Sequence, residues 1–326
     1  MIVEDISDII NDDVFLRLTD FCETNSPILK IEGLSASGSI KIKAAKYLLE
    51  DALINTNLSN SKHFIESSSG NMGVALSIIA ASKSLRFTCV ADANTSEQNI
   101  KTMRALGTEV IIITQKDEKG GYLGNRLSYI KSRLNEDPSL IWLNQYANPG
   151  NVKSHYSLTA KSIHQSIGDV DYLVIGAGTT GTLMGCAEYF RVHSPNTKVI
   201  AVDSVGSVTF GTQAGPRFLP GLGASVLPPF FNETHVDQLI QVPEIQAVKM
   251  CREIAQKYGY LAGASTGTVL AGLKSVSHRF KESDKVVAIS PDLGAGYVST
   301  VFNNEWCEEK YGFIAERENE EYAKAI

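Results

Sequence analysis

Short runs of apolar, often β-branched residues recur along the chain, separated by longer stretches whose apolar positions repeat at helical spacing. The runs are Leu29–Glu32, His63–Ser67, Phe87–Ala91, Val110–Thr114, Ile141–Asn144, Tyr172–Ile175, Val199–Val202, Leu239–Val242 and Val286–Ser290. Runs apolar on both faces predict strands covered on both sides, the pattern of parallel sheet. Helical spacing fits Ile40–Ile54, Gly73–Lys83, Gln98–Leu106, Asn125–Leu134, Ser157–Ile167, Thr182–His193, Ile245–Tyr258 and Thr268–Phe280. Such alternation predicts an α/β protein with two open parallel-sheet lobes and an active cleft between them. No repeat, low-complexity linker or heptad interrupts it. The charged tail Ala315–Ile326 is expected to fray or to dock as a short helix.

Composition narrows the class. Of 326 residues, 43% are apolar and 20% charged, enough for a core and against disorder. Lys and Arg number 30 against 36 Asp and Glu, a net charge of -6 that disfavours a nucleic-acid partner. No apolar run approaches the ~20 residues of a bilayer span. The segment Met1–Asp8 is acidic where a signal peptide would be basic, so a cytoplasmic protein is expected. Five scattered cysteines and six histidines form no C-x-x-C, H-E-x-x-H or H-x-x-x-H pattern, which predicts no structural disulfide and no metal. Most of the cysteines, Cys89 among them, read as small buried apolar residues.

Candidate chemistry concentrates where strands pass into helices. Gly176-Ala-Gly178-Thr-Thr-Gly181 follows a strand run and matches G-x-G-x-x-G, with Asp203 ending the next run. Taken alone it supports a dinucleotide site, and hence an NAD-dependent oxidoreductase. It equally suits a single phosphate, because glycines admit the backbone and free N–H groups at a helix start face the anion. Thr179, Thr180 and Thr182 add hydroxyls that a pyrophosphate turn does not need. A second loop, Glu66-Ser-Ser-Ser-Gly-Asn-Met-Gly73, offers hydroxyls, an amide and N–H groups suited to a carboxylate, or else an ordinary helix cap. A third, Ser37-Gly-Ser39-Ile-Lys41-Ile-Lys43, puts a lysine in a first helical turn, where the macrodipole disfavours its charge. A fourth is Ala262-Gly-Ala-Ser265-Thr-Gly267.

Taken together, these motifs resemble the fold-type II pyridoxal-phosphate enzymes, specifically the cysteine synthase/cystathionine β-synthase group. Gly38-Ser39-Ile40-Lys41 is similar to the segment carrying the Schiff-base lysine, and Ser68-Ser69-Gly70-Asn71-Met72 to the loop binding the substrate carboxylate. Gly178-Thr179-Thr180-Gly181-Thr182 resembles the cofactor-phosphate loop, with Thr180 replacing a glycine. Gly263-Ala264-Ser265-Thr266-Gly267 resembles the segment that sets a serine at the pyridine nitrogen. The order holds from about Pro27 to Tyr297. The resemblance implies pyridoxal 5'-phosphate as cofactor, amino acids as substrates and a homodimer. It assigns residues 1–34 and 150–326 to a larger lobe with the phosphate loop and Ser265. A smaller, mobile lobe, 35–149, carries the carboxylate loop, with Lys41 at the cleft. Asn71 is expected at the cofactor's 3'-oxygen. An uncharged Ser265 at the ring nitrogen disfavours transamination and favours β-elimination and β-replacement.

Gly120-Gly-Tyr-Leu, Asn144-Gln-Tyr-Ala-Asn148, Arg217 before Leu219–Ser225, and Pro291-Asp292-Leu-Gly294 are similar to one branch, the N-(2-amino-2-carboxyethyl)-L-glutamate synthases. Their product is a precursor of 2,3-diaminopropionate for siderophores and peptide antibiotics. The resemblance implies O-phospho-L-serine and L-glutamate as substrates, with cysteine synthase on O-acetylserine as the alternative. Arg217 and Lys43 are the expected cations for a departing phosphate, and Arg126 and Tyr146 the expected partners of the glutamate carboxylates. The usual Asp and Arg after the Schiff-base lysine are absent, Ile42 and Lys43 standing in that stretch.

Overall fold

The computed structural model describes residues 2–55, 63–118 and 120–312, so the Ala315–Ile326 tail lies outside the described residues. Two sheets organise the chain. The smaller has the order β5-β4-β3-β6, made of β3 (His63–Ser67), β4 (Arg86–Asp92), β5 (Glu109–Ile113) and β6 (Leu140–Trp142), and all its pairings are parallel. The larger has the order β1-β2-β10-β7-β8-β9. Its strands are β1 (Phe15–Arg17), β2 (Ile28–Ile31), β7 (Tyr172–Gly176), β8 (Lys198–Ser204), β9 (Gln238–Val242) and β10 (Val286–Ser290). Only the edge strand β1 is antiparallel, to β2. The fold is α/β with two parallel-sheet lobes.

The apolar runs became buried strands because helices cover both faces. Along β7, β8 and β10 the side chains divide by the two-residue period. Val174, Ile200, Val202, Val286 and Ala288 join one core cluster with Val269 and Leu270. Their neighbours Leu173, Ile175, Val199, Ala201, Val287 and Ile289 join a second cluster with Leu183, Met184 and Phe190. The helices are α1 (Lys41–Asn55), α2 (Asn71–Ser82), α3 (Glu97–Ala105), α4 (Leu123–Glu136), α5 (Gly150–Ser154), α6 (Lys161–Ile167), α7 (Gly181–His193), α8 (Glu244–Tyr258), α9 (Ala264–Val276) and α10 (Asn304–Tyr311).

Three elements escape the sequence pattern. The three-residue strand β1 and the polar helix α10 carry too little periodicity. A π-helical stretch, His155–Ala160, joins α5 to α6, so the helix predicted from Ser157 begins earlier and changes its winding midway. All five cysteines are buried and free, where burial was expected of most of them. No described helix is long and apolar enough to cross a membrane, and no metal-binding cluster occurs among the described residues.

Candidate active site

Three loops leave the carboxyl ends of parallel strands and meet in one cleft, where α/β sheets generally bind ligands. They are Ser68–Gly70 after β3, which reaches the cleft through Asn71 at its end, Ala177–Thr180 after β7, and Pro291–Leu293 after β10. The cleft is lined by Lys41, Asn71, Gly176, Gly178 to Thr182, Gly221, Leu222, Ser265 and Asp292, among others.

Lys41 opens α1, and the strand-like segment before it is tied to the β10 loop: Ile40 N–H donates to Pro291 O at 2.7 Å, and Ser39 pairs with Asp292. Burial lowers the Lys41 ammonium below the usual lysine range, with the Asp292 carboxylate pulling the other way. A lysine so placed yields a neutral amine more readily than one in water.

The β7 loop is shaped for an anion. A Cβ on Gly178 would stand 2.8 Å from Gly221 O, so only glycine lets these two loops touch. Thr180 lies in the left-handed region (φ 64°), unusual for a β-branched residue. Its hydroxyl is buried without a hydrogen-bond partner among the described residues. That unpaired hydroxyl and the N–H groups opening the 13-residue α7 form a donor set lacking an acceptor, as a phosphate group requires. The residues present therefore fit the phosphate end of pyridoxal 5'-phosphate.

A hydrogen-bond chain runs from Thr182 into the protein. Its Oγ1 lies 3.2 Å from His155 Nε2, and His155 Nδ1 lies 3.1 Å from Thr159 Oγ1, which accepts from Lys43 Nζ at 3.1 Å. Lys43 can only donate, and the Thr159 hydroxyl that accepts from it keeps its own hydrogen and a second lone pair for Nδ1. Burial, with Lys41 and Lys43 nearby, keeps His155 well below the usual histidine range and hence neutral.

Lys43 requires a correction. It was expected beside a departing phosphate, yet its side chain is fully buried, pairing with Glu32 at 2.7 Å and with Asp12. It points away from the cleft because α1 turns successive residues to different faces. Arg126 and Tyr146 are not brought to the cleft either. Arg126 lies 3.4 Å from Asp92, and the Tyr146 hydroxyl donates to Ser67 O at 3.4 Å, behind the β3 loop. Arg217 braces its own loop, donating to Gly206 O, Ala224 O and Ser225 Oγ. In the Ser68–Met72 loop, Ser68 Oγ accepts from Gly73 N–H at 2.9 Å and the Met72 side chain is buried in the core, so both support the helix start. Ser69 and Gly70 are half-buried, and of this loop only Asn71 lines the cleft. Asp203 is fully buried with Oδ1 on Ser204 N–H, so it offers no contact to a ribose.

Sequence reasoning missed Asp292 as a site residue. Its Oδ2 accepts from Asn71 Nδ2 at 2.8 Å and from the Tyr297 hydroxyl at 2.6 Å, and its Oδ1 accepts from Ser265 Oγ at 3.2 Å. The signal available was its place directly after the β10 run.

This fold and cleft define a pyridoxal-phosphate enzyme, and the chain belongs to that family: the model of pyridoxal-phosphate dependent enzymes matches residues 16–292. The chain is 38% identical over 278 residues to the N-(2-amino-2-carboxyethyl)-L-glutamate synthase of Ralstonia nicotianae, covering 85% of this chain and 82% of that protein. Among solved structures, O-ureido-L-serine synthase matches with a TM-score of 0.87 at 26% identity, covering 100% of both chains. The O-acetylserine dependent cystathionine β-synthase from Helicobacter pylori matches with a TM-score of 0.85 at 26% identity, covering 92% of this chain and 98% of that one. The cofactor is thus pyridoxal phosphate, and the oxidoreductase alternative is set aside.

Proposed function

We propose that the protein catalyses a β-replacement on an activated L-serine: O-phospho-L-serine and L-glutamate give N-(2-amino-2-carboxyethyl)-L-glutamate and phosphate, for 2,3-diaminopropionate synthesis. The observation that carries this is the meeting of Lys41, Asn71, Ser265 and the Gly176–Thr182 loop in one cleft of a chain 38% identical to a synthase of that name. Pyridoxal phosphate, when bound, supplies the electron sink that makes the substrate Cα proton acidic.

Lys41 Nζ would hold the cofactor, and Gly178, Thr179, Thr180, Gly181 and Thr182 would bind its phosphate. Asn71 and Ser265 would meet its ring. Ser69, Gly70 and the first N–H groups of α2 would orient the serine carboxylate. Lys41, as a neutral amine, would take the Cα proton as the Cβ–O bond breaks and phosphate leaves. The glutamate amine, its extra proton passing to the departing phosphate, would then form the Cβ–N bond, and Lys41 would return its proton to Cα. The same reading makes 35–149 the smaller mobile lobe against 1–34 and 150–326, and the chain a cytoplasmic homodimer, which sedimentation would check.

A product assay tests the reading. Protein loaded with pyridoxal phosphate is given O-phospho-L-serine or O-acetyl-L-serine, each with glutamate or with sulfide, and products are weighed by mass spectrometry. The glutamate adduct should form from phosphoserine. Cysteine from acetylserine as the dominant product would move the protein to the cysteine synthases, an outcome the acetylserine-dependent neighbour makes the natural alternative.

A further inference from the structure

One carboxylate stands behind both residues expected to meet the cofactor ring. Asp292 is 4% exposed, and it collects donors from both lobes. Asn71 begins α2, which follows β3 of the smaller sheet; Ser265 lies in the first turn of α9, against the larger sheet. The two side chains address opposite oxygens of the one carboxyl group, Oδ2 and Oδ1. Nothing about the site as described above requires this group, since it neither holds phosphate nor offers an amine.

The local backbone keeps Asp292 in place. Gly263 N–H donates to Asp292 O at 3.1 Å, Ile40 N–H to Pro291 O at 2.7 Å, and Leu293 N–H to Gly38 O at 3.4 Å. A Cβ at Gly263 would collide with Asp292 Oδ1, so a glycine is needed for the carboxylate to lie beside the α9 start. The Tyr297 hydroxyl closes the remaining side of Oδ2. The carboxylate is therefore held by its own segment, and Asn71 and Ser265 are oriented by it. An amide nitrogen has two hydrogens: with one committed to Asp292, the other can point only in a restricted direction. The Ser265 oxygen, held 3.2 Å from Oδ1, is likewise fixed in place.

We propose that Asp292 is a positioning residue for the cofactor, fixing the orientations of Asn71 and Ser265 together and tying their two lobes through a single buried carboxylate. This rests on the reading that Asn71 and Ser265 meet the cofactor ring. Removing the carboxylate leaves both side chains free to rotate, so cofactor affinity and the electronic environment of the ring change together. Its orienting effect passes through those two residues, which distinguishes it from a general packing role and from the direct pull of its charge on Lys41.

The test is a mutational cycle read on cofactor binding. Protein stripped of pyridoxal phosphate is titrated with it, and affinity and the position of the visible absorbance band are recorded for Asp292→Ala, Asn71→Ala, Ser265→Ala, the Asn71/Ser265 double variant, and the triple variant. Asp292→Ala should weaken binding about tenfold, the scale of losing two oriented hydrogen bonds, and displace the band. Added to the double variant, it should change affinity by less than about twofold and leave the band where it is. An equal loss in both backgrounds, or an Asp292→Ala protein with unchanged affinity and band, overturns the proposal. Single Asn71 and Ser265 variants that both bind normally would overturn the site reading itself, and this inference with it. Tyr297→Phe, which leaves the carboxylate in place, should bind nearly as the parent; a loss matching Asp292→Ala would mean that the Tyr297 contact is what matters. Should Asp292→Ala fail to fold, Asn71→Asp keeps Asp292 and sets two carboxyl groups against each other. Its cofactor affinity should then improve as pH falls from 8 to 5, and a pH response no different from that of Asn71→Ala overturns the proposal.

Discussion

Lys41 and Thr180 show how single residues carry the site. Lys41 combines an amine lowered by burial with a position at the cleft, and among the described residues no other lysine lines it. Lys41→Ala should abolish turnover with the fold retained, checked by product assay beside circular dichroism; residual turnover with normal cofactor absorbance would remove the lysine from the mechanism. Thr180 sits at a positive φ where its branched side chain is strained, while its unpaired hydroxyl faces the anion site. Thr180→Gly should relieve about 1 kcal/mol of backbone strain, so the cofactor-free protein melts higher. It should also lose a phosphate donor, at about 0.5–1.5 kcal/mol or somewhat more if charge-assisted, so cofactor binding weakens. Thermal melting and cofactor titration should therefore move in opposite directions. The motif reading marks Thr180 as a departure from the loop it resembles, and only the backbone angle reveals what a threonine does there.

At the scale of the element, the π-helical stretch His155–Ala160 matters most. An extra residue in the turn rotates His155 so that one ring nitrogen meets Thr159 on its own helix and the other meets Thr182 at the start of α7. The chain orients the Thr182 hydroxyl from behind, with Lys43 as its fixed donor end. His155→Phe keeps the ring volume and breaks the chain. It should weaken cofactor binding by about 1–3 kcal/mol, the cost of leaving buried polar partners unsatisfied, while secondary structure persists. Isothermal titration of the stripped protein gives the number, and unchanged affinity would show that Thr182 orients itself. Breaking the other end is a stability matter. Lys43→Ala leaves Glu32 and Asp12 with only Lys30 nearby and should cost about 3–5 kcal/mol in urea unfolding. Periodicity could not reveal either, because a π insertion leaves the apolar spacing nearly unchanged and a lysine buried by pairing looks like a surface lysine.

For the whole molecule, burial of charge beneath the cleft sets a pH dependence. Glu66, at the inner end of the small sheet, accepts from Ser67 N–H at 2.7 Å and Gln145 N–H at 3.0 Å, and desolvation still raises its pKa to about 7 from the ordinary 4.5. Between those values the folded protein holds a proton that the unfolded chain has released, so this contribution to stability is complete at low pH and is lost as pH rises through about 7. At its steepest the loss is about 1.4 kcal/mol per pH unit. Urea unfolding of the parent and Glu66→Gln at pH 5, 6, 7 and 8 gives a difference curve in which the other groups cancel. The parent should lose stability relative to the variant across that range, and a flat difference would place Glu66 at an ordinary carboxyl pKa.

Much of this protein is legible in its residues taken in order. Alternating apolar runs and helical stretches are local consequences of backbone geometry, and they determined an α/β chain with two parallel sheets. The four motifs determined the family and the cofactor because glycines, hydroxyls and a lysine at strand-to-helix junctions are themselves local signals. What the tertiary structure decided is which distant groups meet. Lys43 and Arg217 look alike in sequence, as cations near a site, yet one is sealed among Glu32 and Asp12 and the other braces a loop. Asp292 looks like an ordinary turn residue until α2 and α9 bring Asn71 and Ser265 to its two oxygens. Pairing, burial and the direction of a hydrogen bond depend on atoms separated by as few as 11 residues, as for Lys43 and Glu32, or as many as 221, as for Asn71 and Asp292, and a one-dimensional pattern holds no record of them until the chain has folded.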